Sequence, residues 1–116
     1  MANVTTSVYA ERLERIREGT RLSREDVAKV VGSSSRTVAR WATGANVPRG
    51  VSRQRLLDLA AVSQQVAKVM TPEAAAAWLY EPNAELRNAR PVDLVAQGRS
   101  REVLDLIEAI ADGVFV

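Results

Sequence analysis

The sequence predicts an all-α protein: three short N-terminal helices, a long connecting helix and a small C-terminal helical lobe. Apolar residues recur at helical spacing in nearly every segment, strand-like alternation and paired hairpin signals are missing, and alanine, the best helix former, is abundant. With 116 residues, 47% of them hydrophobic, the chain makes one domain or two small lobes sharing a core.

A first helix is expected over about 6–18, with Val8/Tyr9, Leu13 and Ile16 on one face and Gly19 stopping it. Ser23 caps a short second helix, REDVAKVV, in which Asp26 three residues on approximates a capping box; Gly32 ends it. SSSRTVARWAT follows as a third helix, capped by Ser33 or Ser34 and closed by Gly44, and GANVPRG is a turn-rich connection. The long helix spans 51–70, apolar at Leu56, Leu59/Ala60, Val66/Ala67 and Met70, with Ser63 the one weak point in that stripe. Thr71 as N-cap, Pro72 at the first helical position and Glu73 in the first turn restart the chain. Pro82 ends or redirects that helix. PNAELRNARPVDLVAQG then reads as two short turns of helix, the second opened by Pro91 and closed by Gly98. The last helix, about 99–112, turns Val103, Leu106/Ile107 and Ile110 to one side and Glu102, Asp105, Glu108 and Asp112 to the other. The expected units are therefore 1–50, 51–70 and 71–116. The last is expected to fold around Trp78 with Leu79, Leu86, Leu94, Val103, Ile107 and Ile110.

Cysteine and histidine are both absent. Their absence excludes a disulfide framework, thiol catalysis and any Cys/His zinc site, and fits a reducing cytoplasm. The commonest general base is missing as well. No partner residues converge on the carboxylates of the last helix, and no glycine loop cradles a phosphate, so neither an enzyme nor a cofactor or metal site is expected. MANVTTSVYA, the longest uncharged run, has neither the basic start nor the apolar core of a signal peptide and is far short of the ~20 residues of a membrane helix. A soluble, cytoplasmic protein without membrane contact is expected.

The net charge of +2 hides an asymmetry. Residues 1–55 carry 11 basic and 5 acidic side chains, and residues 56–116 carry 5 basic and 9 acidic ones. Between Asp26 and Asp58 there is no acidic residue, while Lys29, Arg36, Arg40, Arg49, Arg53 and Arg55 fall inside. That distribution is the footprint of a polyanion-binding surface.

The second and third helices can be tested as a helix-turn-helix. Two helices that cross closely need a small residue at the contact, and Ala28 supplies it. Four residues later the tight turn needs a residue that tolerates positive φ, which Gly32 supplies. Val38 and Trp41, three apart, then lock the third helix down with Val27 and Val31. With those two facing inward, Arg36 and Arg40 project one turn apart on the opposite face. Ser35, Arg36 and Arg40 are the candidates to read base edges in a major groove, since arginine binds guanine bidentately. Ser34, Thr37, Arg49 and Arg53 are the candidates for phosphate contacts, which position without reading sequence. Trp41, at core spacing, is a plug rather than a base-stacking platform.

LSREDVAKVVGSSSRTVARWATG resembles the Xre-type helix-turn-helix. AAAAWLYEPNAELRNARPVDLVAQGRSREVLDLIEAIADGVFV resembles the C-terminal domain of the MbcA/ParS/Xre antitoxins, through Trp78–Leu79, Pro82–Asn83, Leu86, Pro91, Asp93–Leu94, Gly98 and Val103 in order. The ending DGVFV is similar to the MbcA branch in particular. Many relatives carry glycine near position 88, where this chain has Asn88, the next best residue for a left-handed turn. The resemblance implies an antitoxin paired with a RES-domain toxin that destroys NAD.

Two functions follow from these observations. One is an antitoxin that neutralises a RES-domain toxin and represses its own operon, as a homodimer within a larger toxin–antitoxin complex on operator DNA. The other is a stand-alone dimeric transcriptional repressor. In either case the helix 51–70 or the C-terminal lobe is expected to supply the dimer contact. The apolar ending favours the antitoxin. Gly113 stops the last helix, and Val114, Phe115 and Val116 follow with little chain left to cover them. The resemblance offers an NAD cleft for these three residues to block.

Overall fold

The structure is a computed structural model and describes residues 4–114. Seven α-helices appear among them: α1 (Val4–Thr20), α2 (Arg24–Val31), α3 (Ser35–Thr43), α4 (Gly50–Val66), α5 (Pro72–Tyr80), α6 (Pro91–Ala96) and α7 (Ser100–Ala111). A 3-10 turn, Ala84–Leu86, and an antiparallel bridge between Asn83 and Ala89 lie between α5 and α6.

Local chemistry sets most of the boundaries. Ser23 and Asp26 form a complete capping box at α2, and Gly32 takes the left-handed conformation (φ 74°) that lets its N–H return to the Ala28 carbonyl. Ser34, rather than Ser33, caps α3, and Gly44 (φ 78°) closes it. Thr71 Oγ1 accepts from the Ala74 N–H at the start of α5. α6 and α7 begin with arginine at the N-cap and an acid three residues on. Arg90 grips Asp93 at 2.8 and 2.9 Å, and Arg99 grips Glu102 at 2.6 and 2.9 Å.

Three features depart from the sequence reading. Gly19 does not stop α1; the helix runs to Thr20, and Arg21 makes the left-handed turn at φ 60°. Gly19 instead lets α1 lie close against α4, since a Cβ there would stand 3.5 Å from the Ser63 carbonyl and 3.6 Å from Ala67 Cβ. α4 ends at Val66, four residues early, where the chain tightens through Val69 N–H to Val66 O and Lys68 N–H to Gln65 O. Trp78 is not the centre of the C-terminal lobe. Ala75 and Leu79, four apart, take the inward stripe of α5, and Trp78, one position aside, is half-buried at the margin with Ile110. Leu79, Leu86, Leu94, Val103 and Ile107 are buried as expected, joined by Val92 and Val95.

α4 is the spine. Leu56, Leu59, Val62 and Val66 are fully buried in one hydrophobic cluster that also takes in Ile16 of α1, Val31 of α2 and Val103 and Ile107 of α7. These four residues of its apolar stripe are therefore packed within the chain. Ser63 sits in that stripe, 2% exposed, and its hydroxyl has no hydrogen-bond partner among the described residues.

Candidate nucleic-acid interface and C-terminal lobe

The face opposite the buried Val38 and Trp41 is cationic. Arg15, Arg17, Arg21, Arg55, Arg90, Arg99 and Arg101 each pair with a carboxylate. Arg36, Arg40, Arg49 and Arg53 do not, among the described residues, and all four are exposed; Arg12, Arg24 and Arg87, outside this face, are without a carboxylate there too. A field that no local acid neutralises attracts polyanions.

Helix ends gather these residues. Ser34 caps α3, its Oγ accepting from the Thr37 N–H (3.1 Å) and donating to Thr37 Oγ1 (2.9 Å), so both hydroxyls are engaged with each other. Ser35 begins α3 half-buried, and Arg36 and Arg40 follow on its outer face. Arg49 is the N-cap of α4, with no side-chain cap bond. The hydroxyls of Ser33 and Ser52 meet at 3.1 Å, tying the first turn of α4 to the α2–α3 turn and so bringing Arg49 and Arg53 to the start of α3.

Two basic residues of the acid-free stretch belong elsewhere. Arg55 donates from Nε to the Ala96 carbonyl (3.3 Å) and pairs with Asp58 (3.6 Å). Lys29 borders a cavity of about 70 Å³ with Tyr80, Arg90 and Asp93. The sequence reading assigned Tyr9 only to a core stripe, yet its hydroxyl accepts a 2.8 Å hydrogen bond from Arg53 Nε. That pair lies 44 residues apart in sequence, and no local signal points to it.

Electrostatics join α2 to the C-terminal lobe. Burial pushes the Asp26 carboxyl up. The Ser23 N–H and hydroxyl, the Tyr80 hydroxyl and Lys29 outweigh that effect and hold it below its ordinary value. Burial, with the facing Asp26 carboxylate, pushes the Tyr80 phenol up to about 12. The Arg90 guanidinium lies 5.5 Å from the centre of the Tyr80 ring, a cation–π distance, and holds Asp93 below the usual carboxylate range.

α7 ends in a double hydrogen bond. The Gly113 N–H donates to the Ile110 carbonyl (3.0 Å) and the Val114 N–H to the Ala109 carbonyl (2.9 Å), with Gly113 at φ 77°. Val114 emerges 64% exposed. Phe115 and Val116 lie outside the described residues. The acids of α7 are exposed; Glu102 pairs with Arg99 and Asp105 with Arg101. No helix among the described residues is long and apolar enough to cross a membrane.

Fold and sequence together define a helix-turn-helix protein with a C-terminal antitoxin lobe. Residues 8–69 match a helix-turn-helix domain, and residues 57–113 match the antitoxin Xre/MbcA/ParS C-terminal toxin-binding domain; the two overlap on α4. The chain belongs to the Xre/MbcA/ParS antitoxin family. It is 40% identical over 114 residues to the mycobacterial cidal antitoxin MbcA of Mycobacterium tuberculosis and of Mycobacterium bovis, covering 98% of this chain and 97% of theirs. A probable mycobacterial cidal antitoxin of Mycobacterium tuberculosis is 36% identical over 92 residues, 78% of this chain and 77% of that one. The crystal structure of the M. tuberculosis MbcT–MbcA toxin–antitoxin complex contains a chain that matches with a TM-score of 0.84 at 40% identity, covering 98% of this chain and 99% of that one.

Proposed function

We propose that this protein binds and neutralises a cognate RES-domain toxin that degrades NAD, and represses its own operon through the helix-turn-helix. The observation that carries this reading is its likeness, over nearly the whole chain, to MbcA, an antitoxin solved in complex with the toxin MbcT. Residues 57–113 would form the toxin-binding part. Val114, Phe115 and Val116 reach into the entrance of the toxin's active site and keep NAD out. A β-branched pair flanking an aromatic ring suits a concave, largely apolar pocket, and Val114 leaves α7 exposed.

On the DNA side, Ser35, Arg36 and Arg40 read base edges while Ser34, Thr37, Arg49 and Arg53 contact phosphates. The protein acts as a homodimer within a larger complex with its toxin, in the cytoplasm, with no cofactor and no catalysis of its own. The exposure of the four arginines in an acid-free stretch of the chain, with no acid partner among the described residues, supports this assignment.

The test is co-expression with the cognate RES-domain toxin. Neutralisation predicts restored growth, restored NAD and a complex that co-purifies. A stand-alone repressor would bind its operator and leave toxin, growth and NAD unchanged.

A further inference from the structure

We infer that Tyr9 is a positioning residue for DNA binding, holding the Arg53 guanidinium in a phosphate-ready orientation. The inference rests on the reading of Arg53 as a phosphate contact. Tyr9 belongs to α1, outside the two helices of the motif, and its side chain is 9% exposed within the hydrophobic cluster. A ring buried in that cluster is a fixed point, and its hydroxyl takes the Arg53 Nε–H at 2.8 Å.

Arginine carries its donors in a rigid planar fork. With Nε engaged, rotation about the end of the side chain is lost; among the described residues the two terminal nitrogens make no hydrogen bond and pair with no acid, and Arg53 remains exposed. The backbone beneath it is held too, because the Ser33–Ser52 contact fixes the first turn of α4 against the motif. A side chain ordered before binding loses less freedom on binding. Tyrosine is neutral, so it orders the guanidinium without cancelling the charge, which a carboxylate at the same place would do. Arg55, two residues on, shows the alternative: its guanidinium is bound to Ala96 and Asp58 and faces the C-terminal lobe.

The experiment is a double-mutant cycle on the full-length protein, with binding to its operator fragment and to an unrelated duplex measured across a salt series. Tyr9→Phe keeps the ring and removes the hydroxyl. It is expected to weaken binding to both duplexes equally, by about three- to tenfold, with an unchanged thermal midpoint. It is also expected to leave the salt slope in place, because the Arg53 charge remains. Arg53→Ala is expected to weaken both and to lower the slope by about 0.9. In the Arg53→Ala background, Tyr9→Phe should have no further effect. If Arg53→Ala leaves binding and slope unchanged, the phosphate reading of Arg53 fails and the inference falls with it. If Arg53→Ala has its effect while Tyr9→Phe has none, strengthens binding, or costs the same in both backgrounds, the positioning role alone is overturned.

Discussion

The Arg55 guanidinium lies where Gly98 would carry a side chain: a Cβ built on Gly98 would stand 2.7 Å from one terminal nitrogen and 3.0 Å from Cζ. Gly98 also sits at φ 81° in the α6–α7 turn, which favours glycine whatever the space, while the guanidinium would have to shift to admit a Cβ. Arg55 reaches it from the first half of α4, which joins the helix-turn-helix half of the chain to the C-terminal lobe. Gly98→Ala should cost about 1–3 kcal/mol, read in urea melts. It should cost less in an Arg55→Ala background, where the clash is gone and only the strained φ remains. Equal costs in both backgrounds would show that the guanidinium moves aside freely.

Ser63 gives a prediction of opposite sign. Its hydroxyl is buried in the α4 stripe without a partner, so it carries a desolvation cost and makes no bond in return. Ser63→Ala should stabilise the protein by about 1 kcal/mol, seen as a raised thermal midpoint. A lowered midpoint would mean that the hydroxyl is bonded in solution.

Arg36 tests whether the outer face of α3 reads bases or only holds phosphates. Arg36→Ala should cost roughly 1–3 kcal/mol on the operator and relax the preference over unrelated DNA, because a base contact is lost. Competition assays with both duplexes measure this. A uniform loss on the two would reassign Arg36 to phosphate.

Two titrations bracket the pH range of stability. Asp26 ionises below its ordinary 3.8 in the folded chain, so its contribution is in full force above that value and drains away as the pH falls through the depressed one. Tyr80 runs the other way. Its phenol is raised from 10.0 to about 12, so its contribution holds below pH 10 and is lost as the pH climbs towards 12. Tyr80→Phe should flatten the alkaline decline in urea melts at stepped pH. An unchanged decline would exclude Tyr80 from it.

Elements whose ends are set by local chemistry were legible in the sequence. The Ser23–Asp26 box, Gly32, Gly44, Thr71–Pro72, Pro91, Gly98 and Gly113 all fall at helix boundaries, because caps and left-handed turns depend on the residues at hand. The same holds for the inward Val38 and Trp41 with Arg36 and Arg40 outward. Asn88 at φ 66° follows the reading of that position, although Arg87 at φ 57° shares the turn unannounced. What escaped depends on pairs far apart in the chain. Gly19 looks like a stop until α4 lies against it, Trp78 looks central until Leu79 takes the inward place, and the distant partners of Arg53 and Arg55 lie on α1 and at the end of α6.

The most direct measurement on the central claim is removal of residues 114–116, followed by co-expression with the toxin and assay of cellular NAD. Val114 is exposed and supplies only the closing Val114 N–H to Ala109 bond of α7, so the shortened chain should lose that one bond, keep its fold and bind its operator as before. The account predicts that NAD then collapses and growth stops. Full protection of NAD by the shortened chain, at equal abundance, would contradict it.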